Sequence, residues 1–156
     1  MTRLPLLINL KPWLWLQENY REKLKKKKRE KMAEVKYFTP KEAVKTLPLV
    51  KKIVDDILRE GKEIQFLMDQ AGGDAQKNPV ISERLKNMQV YLKELLDVGC
   101  YYKDWDFSLG LVDFPSVIDG EEVFLCWRSD EETISHYHHP ASGYAGRKVI
   151  PEDYFL

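Results

Sequence analysis

The sequence has few of the features that identify a functional class directly. Among 156 residues there are two cysteines, Cys100 and Cys126, and the formal net charge is zero, with 25 basic and 25 acidic residues. No apolar run approaches the roughly 18 residues that a membrane span requires. No Walker A loop, dinucleotide-binding fingerprint, nucleophile elbow or protein-kinase motif set occurs. These absences set aside a membrane-spanning protein and several large enzyme classes, and the length suits one domain.

The zero net charge is a cancellation between two segments of opposite sign. Residues 1–31 hold 10 basic and 3 acidic residues, a net charge of +7, so that residues 32–156 carry a net charge of −7. The main positive run, residues 23–31, follows an interrupted apolar stretch. A secretory signal peptide has the opposite order and ends in small residues. Secretion is therefore not expected, and we predict a cytoplasmic protein with both cysteines reduced.

Three interpretations of residues 1–31 stay open. The segment can be an amphipathic anchor on anionic lipid, or a basic arm that neutralises nucleic-acid phosphates. In the third, the purine-only codons before Met32 are a ribosome-binding site and the natural protein begins at Met32. We predict that residues 1–31 are a disordered basic leader or are not part of the natural protein, and that residues 32–156 form one α+β domain. Because that domain is acidic, nucleic acid is not an expected partner.

From Met32 onward the pattern predicts two helices. Thr39-Pro40-Lys41-Glu42 combines a capping residue, a proline suited to the first helical position and a carboxylate that can complete a capping box. Apolar residues then recur at helical spacing, with a kink or a helix break expected at Pro48. A second apolar stripe follows Asn78-Pro79 and ends at Gly99, which is a typical C-cap. Two such helices are expected to pack as an antiparallel hairpin, and we predict a homodimer through their exposed apolar surface.

After Gly99 the apolar period changes to that of strands. Asp119-Gly120 is a pair that favours a two-residue hairpin turn, which places Ile118 opposite Glu121 and Val112 opposite Trp127. The expected fold is α+β, a long antiparallel helical hairpin followed by a small antiparallel β-sheet. The predicted strands are residues 101–103, 109–118, 121–128 and 133–139.

Chemistry is most expected near the C-terminus, where all three histidines lie within four residues. On a strand, His136 and His138 project to one face and His139 to the other. Two imidazoles at that spacing can share a divalent metal ion. The spacing equally suits polar residues of a solvated strand. A further ligand would come from elsewhere, and the nearest candidates in chain order are Asp113, Glu131 and Glu132.

Arg147 and Cys126 each have two competing interpretations. Arg147 follows Gly143-Tyr144-Ala145-Gly146, and small residues around a guanidinium let it approach a carboxylate or phosphate. We predict a small anionic ligand there, with Tyr144 and Trp127 in the site, or else an internal ion pair. Cys126 can be a nucleophile beside a histidine, but its neighbours Leu125 and Trp127 indicate the core of a sheet.

Several short motifs occur in order through the part of the chain after Met32. They are Lys36-Tyr37-Phe38-Thr39, Glu42-Ala43, Leu47-Pro48-Leu49, Gly110-Leu111-Val112-Asp113-Phe114-Pro115, Leu125-Cys126-Trp127-Arg128 and Gly143-Tyr144-Ala145-Gly146-Arg147. In this order they resemble the Domain of Unknown Function 2203 family, over residues 35–150. The resemblance implies a small prokaryotic protein without an assigned activity.

The resemblance also carries some positions of the family's pattern onto this sequence. The family's Trp-His-acid pattern falls on Tyr137-His138-His139, so that His138 is the matching histidine and His139 stands where an acid is usual. His136 matches nothing in that pattern, and Asp130 stands where a glycine usually precedes the acid. These departures count against a two-histidine metal site as a family property. The matching polar set is Asp113, Glu131, His138 and Arg147.

Two functions follow from these observations. The first is a non-catalytic binding or interaction module with a metal or anion site at the end of the sheet. Its predicted ligands for a divalent ion are His138, Asp113, Glu131 and His136, and its predicted anion-binding residues are Arg147, Tyr144 and Trp127. The second is a metal-dependent hydrolase, in which Asp113, Glu131 and His138 hold the ion and Arg147 orients an anionic substrate.

Overall fold

The computed structural model describes residues 12–30 and 35–156 and confirms the α+β class. Helices come first along the chain, and a five-stranded antiparallel sheet with strands in the order β1-β2-β3-β4-β5 follows them. None of the helices in the described residues is both long enough and apolar enough to cross a membrane. The elements are α1 (Pro12–Glu30), α2 (Pro40–Ala71), α3 (Pro79–Val98), β1 (Tyr101–Tyr102), β2 (Leu111–Ile118), β3 (Glu121–Arg128), β4 (His136–His138) and β5 (Lys148–Val149).

The predicted caps set the ends of the helical hairpin. The Thr39 hydroxyl accepts the Glu42 N–H at 3.1 Å, and the Glu42 carboxylate accepts the Thr39 N–H at 3.1 Å, which completes the capping box. The Asn78 side chain accepts the Val80 N–H at 2.9 Å at the start of α3. Gly99 ends α3 in the left-handed conformation, with φ of 108°. Helix α2 continues through Pro48 as one element instead of breaking there.

Periodic apolar side chains of α2 and α3 form the helical part of the core. The two helices pack against each other and leave polar residues outside, as an amphipathic pair should. Glu60 of α2 is buried in this interface, and its carboxylate accepts from the Arg84 guanidinium of α3 at 3.2 Å. The buried apolar residues of α2 and α3 are Ala43, Leu47, Val50, Ile53, Val54, Ile57, Ile64, Ile81, Met88, Leu92, Leu95 and Leu96.

The β2–β3 hairpin has the predicted turn and the predicted register. Asp119 and Gly120 both have positive φ, 52° and 78°, as a two-residue turn of this kind requires. Ile118 pairs with Glu121, and Val112 pairs with Trp127. The hairpin register confirms that a two-residue turn fixes which residues share a face along the whole of both strands.

The two faces of the sheet have different surroundings. Val112, Phe114, Leu125 and Trp127 are on the face that packs on the helices, within the main apolar core. The Phe114 ring, for example, contacts Phe38 edge-on at 5.4 Å between centroids. Alternation along the strands places Asp113 and its neighbours at every second position on the opposite face. The helical hairpin therefore does not cover that opposite face.

Part of the basic N-terminal segment forms α1, which contacts α3 and β1. Leu16 is 1% exposed and Tyr20 is 5% exposed, and both belong to the main apolar core. The Tyr20 hydroxyl accepts the backbone N–H of Tyr102 at 2.9 Å. Burial raises the pKa of the Tyr20 hydroxyl, which keeps it neutral. Met32, where the sequence predicts the domain to begin, lies outside the described residues, so that boundary stays a prediction.

Candidate metal centre

Three strands each contribute one polar side chain to the face of the sheet opposite the helices. Asp113 of β2 pairs with Cys126 of β3, and Cys126 pairs in turn with His136 of β4. Since side chains two residues apart share a face, His138 projects to the same side as His136. The register thus places Asp113, Cys126 and His138 on one surface of three adjacent strands.

These three side chains form a compact and buried cluster. The carboxylate oxygen, the thiol sulfur and the imidazole nitrogen that face one another all lie within 4.8 Å of each other. Asp113 is 3% exposed, Cys126 0% and His138 4%. The Phe124 ring packs beside the His138 ring, with 5.7 Å between centroids, which helps to exclude water. Within the described residues, this is the group of three that could hold a metal ion.

The hydrogen bonds of His138 define its protonation. Its Nδ1 lies 2.9 Å from the His139 carbonyl oxygen, which can only accept, so Nδ1 carries a proton. Its Nε2 lies 3.1 Å from Oδ1 of Asp113, a distance at which one proton can be shared between these two atoms. The Asp113 hydrogen bond is the largest cause that raises the pKa of His138 above its ordinary value, against the opposing effect of burial. The hydrogen bond to Asp113 therefore favours the protonated form of the buried His138 imidazole.

Cys126 completes the cluster as a protonated thiol. Burial is the main cause that raises the pKa of Cys126 to about 12, and the neighbouring Asp113 raises it further. Nε2 of His138 lies 3.1 Å from Oδ1 of Asp113 and is engaged by that carboxylate, so His138 is not placed as the base of a thiol nucleophile. A catalytic thiol needs a lowered pKa and an electropositive, partly exposed setting. The surroundings of Cys126 favour an inert or metal-binding sulfur.

Two of the predicted metal ligands contact each other in a different group. The Glu131 carboxylate accepts twice from Nη2 of Arg147, at 2.7 and 2.8 Å. Nδ1 of His136 lies 3.5 Å from Oε2 of the same carboxylate and 2.9 Å from the Ser135 hydroxyl. The structure thus brings together Asp113 and His138 as predicted, with Cys126 in the position that the sequence interpretation gave to Glu131.

The predicted anion-binding residues are only partly together. The Arg147 guanidinium lies over the Tyr144 ring, at 5.0 Å from its centroid, and is occupied by Glu131. An anionic ligand at Arg147 would have to displace that carboxylate. Trp127 is 2% exposed on the helix-facing side of the sheet, and its indole N–H donates to the Glu131 carbonyl at 3.0 Å. Its role in the structure is to hold the turn that carries Glu131.

Cys126 is the site residue that the sequence interpretation missed as a ligand. The signal was available, because the register that pairs Val112 with Trp127 also pairs Asp113 with Cys126. A carboxylate directly opposite a cysteine, on the face of the sheet that the helices do not cover, provides two potential metal ligands. The contribution of His138 could not be obtained in this way, since the loop before β4 leaves its register open.

Comparison with known proteins identifies a matching family model but no matching curated protein or solved structure. Residues 36–150, about three quarters of the chain, match the family model described as Uncharacterized conserved protein (DUF2203). The matched range includes the whole sheet and every residue of the cluster. No curated protein matches the chain, and no solved structure matches it either. The match confirms the resemblance carried by the motifs, and the chain belongs to the DUF2203 family of uncharacterised conserved proteins.

Proposed function

We propose that the chain is a non-catalytic binding protein for a thiophilic divalent metal ion, with zinc as the best fit, held by Asp113, Cys126 and His138. The observation that supports this is the convergence of three different donor types, all within 4.8 Å of one another and all buried. Buried ionisable groups at such a density are costly unless they are paired or bind a metal.

The donor types favour zinc over the hard cations. Thiolate and imidazole ligands are typical of zinc and other late transition metals, whereas Mg²⁺ and Ca²⁺ take oxygen ligands almost throughout. Tetrahedral zinc with bonds of 2.0–2.3 Å holds its donors about 3.3–3.7 Å apart. The Asp113–His138 pair is already closer than this, at 3.1 Å. Binding therefore requires the sulfur to move up to about 1 Å closer to the other two donors, while the Asp113 and His138 donors separate slightly.

Metal titration of the metal-free chain tests the proposal. We expect one Zn²⁺ or Co²⁺ per chain and, with Co²⁺, a thiolate-to-metal charge-transfer band in the near ultraviolet. Cys126→Ser should abolish the band and most of the affinity. Cys100→Ser is the matched control, because Cys100 is also a buried cysteine that forms no disulfide, and it lies outside the cluster. Less than a tenth of a metal per chain after titration, or unchanged binding by Cys126→Ser, would refute the site.

The alternative function, a metal-dependent hydrolase, is favoured by one feature of the same site. Three protein donors leave a fourth tetrahedral position, which in catalytic zinc sites holds water. Arg147 would then have to release Glu131 in order to orient an anionic substrate. Ester and phosphoester substrates presented to the zinc-loaded chain distinguish the two functions. Metal-dependent turnover that is lost in Cys126→Ser would favour the hydrolase.

The predicted partners remain proposals. Exposed apolar side chains of the helical hairpin include Leu49 and Phe66 of α2, which are 52% and 54% exposed. They are 17 residues apart, which is roughly 100° around the helix axis, so they do not form one stripe. A homodimer through the hairpin would have to combine patches from both helices. We place the protein in the cytoplasm, where a reducing environment keeps the Cys126 thiol free to bind.

A further inference from the structure

The end of strand β3 is held by side chains and not only by a neighbouring strand. The register pairs Cys126 with His136, which is the first residue of β4, so the ladder between these strands ends there. The backbone N–H of Arg128, two residues further along β3, donates to Oε1 of Glu131 at 2.8 Å. The carbonyl of Cys126 itself accepts from Nη2 of Arg147 at 3.2 Å. One ion pair therefore contacts the backbone at Cys126 itself and at the residue two positions further along β3.

Glu131 is itself fixed from several directions. Its backbone N–H donates to the Arg128 carbonyl at 2.8 Å, and its carbonyl accepts the Trp127 indole N–H at 3.0 Å. The side chains of Arg147 and Glu131 are 12% and 17% exposed, so solvent screens their interaction far less than it screens a surface pair. Charge-assisted hydrogen bonds of this kind hold geometry more tightly than neutral ones.

We propose that Glu131 and Arg147 are positioning residues for the Cys126 ligand. They fix the backbone at the C-terminal end of β3, so that the Cys126 sulfur faces the carboxylate of Asp113. Groups that hydrogen-bond to metal ligands and orient them typically change metal affinity 10- to 100-fold when they are removed. The inference rests on the proposed metal site, and it gives these two residues a role other than ligand or anion receptor.

The test compares full-length variants for Co²⁺ affinity and for the charge-transfer band. Glu131→Gln keeps the size of the side chain and Arg147→Lys keeps the charge, while each removes part of the paired hydrogen bonding. We expect both to bind Co²⁺ about 10- to 100-fold more weakly than the unmodified chain. The band should change in intensity or position, because the sulfur no longer has a fixed direction. Asp97→Asn is the control, since it removes an exposed ion pair with Lys93.

The outcomes separate this inference from the proposed function. Failure of the unmodified chain to bind metal would overturn both. Normal binding by the unmodified chain, with unchanged affinity and an unchanged band in Glu131→Gln and Arg147→Lys, would overturn only the positioning role. A lower melting temperature with an unchanged cobalt spectrum would likewise assign the pair to stability alone. If Arg147→Lys does not fold, the result for Glu131→Gln decides between these outcomes, because that variant only replaces one carboxylate oxygen with an amide nitrogen.

Discussion

Metal binding at the candidate centre should depend steeply on pH, because the ion must displace two protons. One is the proton held between Nε2 of His138 and Oδ1 of Asp113, since a metal ion needs the nitrogen lone pair. The other is the thiol proton of Cys126, whose pKa of about 12 keeps it bound at neutral pH. The His138 Nδ1 proton stays in place, donated to the His139 carbonyl.

The slope follows from these two protons. At pH values below the raised pKa of His138, the apparent association constant should rise about two decades per pH unit, or ~2.7 kcal/mol. Once the pH exceeds that pKa, the histidine proton is already lost. The slope should then fall to about one decade per unit, or ~1.4 kcal/mol, from the Cys126 proton alone. Acid should therefore release the metal.

Chelator competition at pH 5.5–8.5 measures the slope, and calorimetry in buffers of different ionisation enthalpy counts the protons directly. Cys126→Ser, if it retains measurable binding, should lose one proton from the count. His139, whose imidazole lies 3.5 Å from the Glu121 carboxylate and outside the cluster, offers the control His139→Gln, with the same slope as the unmodified chain. A slope of one decade or less over the acid half of the range would refute the assigned protonation of His138.

Three further predictions follow from the packing. Asp113→Ala leaves the buried His138 imidazolium without its partner and should cost about 3–5 kcal/mol in urea denaturation; a loss below 1 kcal/mol would contradict the buried pair. Gly110→Ala places a Cβ 2.3 Å from Cγ1 of Val54 and should cost about 1–3 kcal/mol, measured in the same way, whereas an unchanged midpoint would contradict that close approach. Light scattering should give twice the chain mass for the predicted homodimer, and a monomer at every concentration would exclude it.

Much of the fold could be predicted because local rules determine it. The capping box at Thr39, the Asn78 and Gly99 caps and the Asp119-Gly120 turn each depend on a few adjacent residues. Such signals need no knowledge of distant contacts. The predicted strand over residues 133–139 is shorter in the structure, His136–His138, because only those residues pair with β3.

Helix α1 shows where charge patterning gives little information about structure. The positive run in residues 1–31 indicated a disordered leader or a segment outside the natural protein. In the structure, Leu16 and Tyr20 are buried against α3 and β1, four residues apart on one helix face. Two apolar side chains at helical spacing were too weak a signal beside the lysines. The Tyr20 side chain contacts Tyr102 and Trp105, which are more than 80 residues away.

The candidate site was predictable in part, because the family resemblance groups Asp113 with His138 in one polar set. Asp113 and His138 were expected to converge, and they lie 3.1 Å apart. Glu131 was assigned to them from chain order, but the turn after β3 directs its carboxylate to Arg147. The geometry of this turn depends on the hydrogen bonds of Trp127 and Arg128 with Glu131, which cannot be predicted from the spacing of residues in the sequence.

The proton between His138 and Asp113 also sets the pH range in which a metal ion can replace it. Because the pKa of His138 is raised on folding, its pair with Asp113 adds stability that is fully present below the ordinary pKa of about 6.5 and is lost as pH rises through the folded-state pKa. Metal binding has the opposite pH dependence, since it becomes stronger as those protons leave. The metal-free chain should therefore lose stability toward alkaline pH, while the zinc-loaded chain should gain relative to it. Melting temperatures of both forms from pH 5.5 to 9 should diverge as pH rises, and parallel curves would show that the cluster is only a structural ion pair.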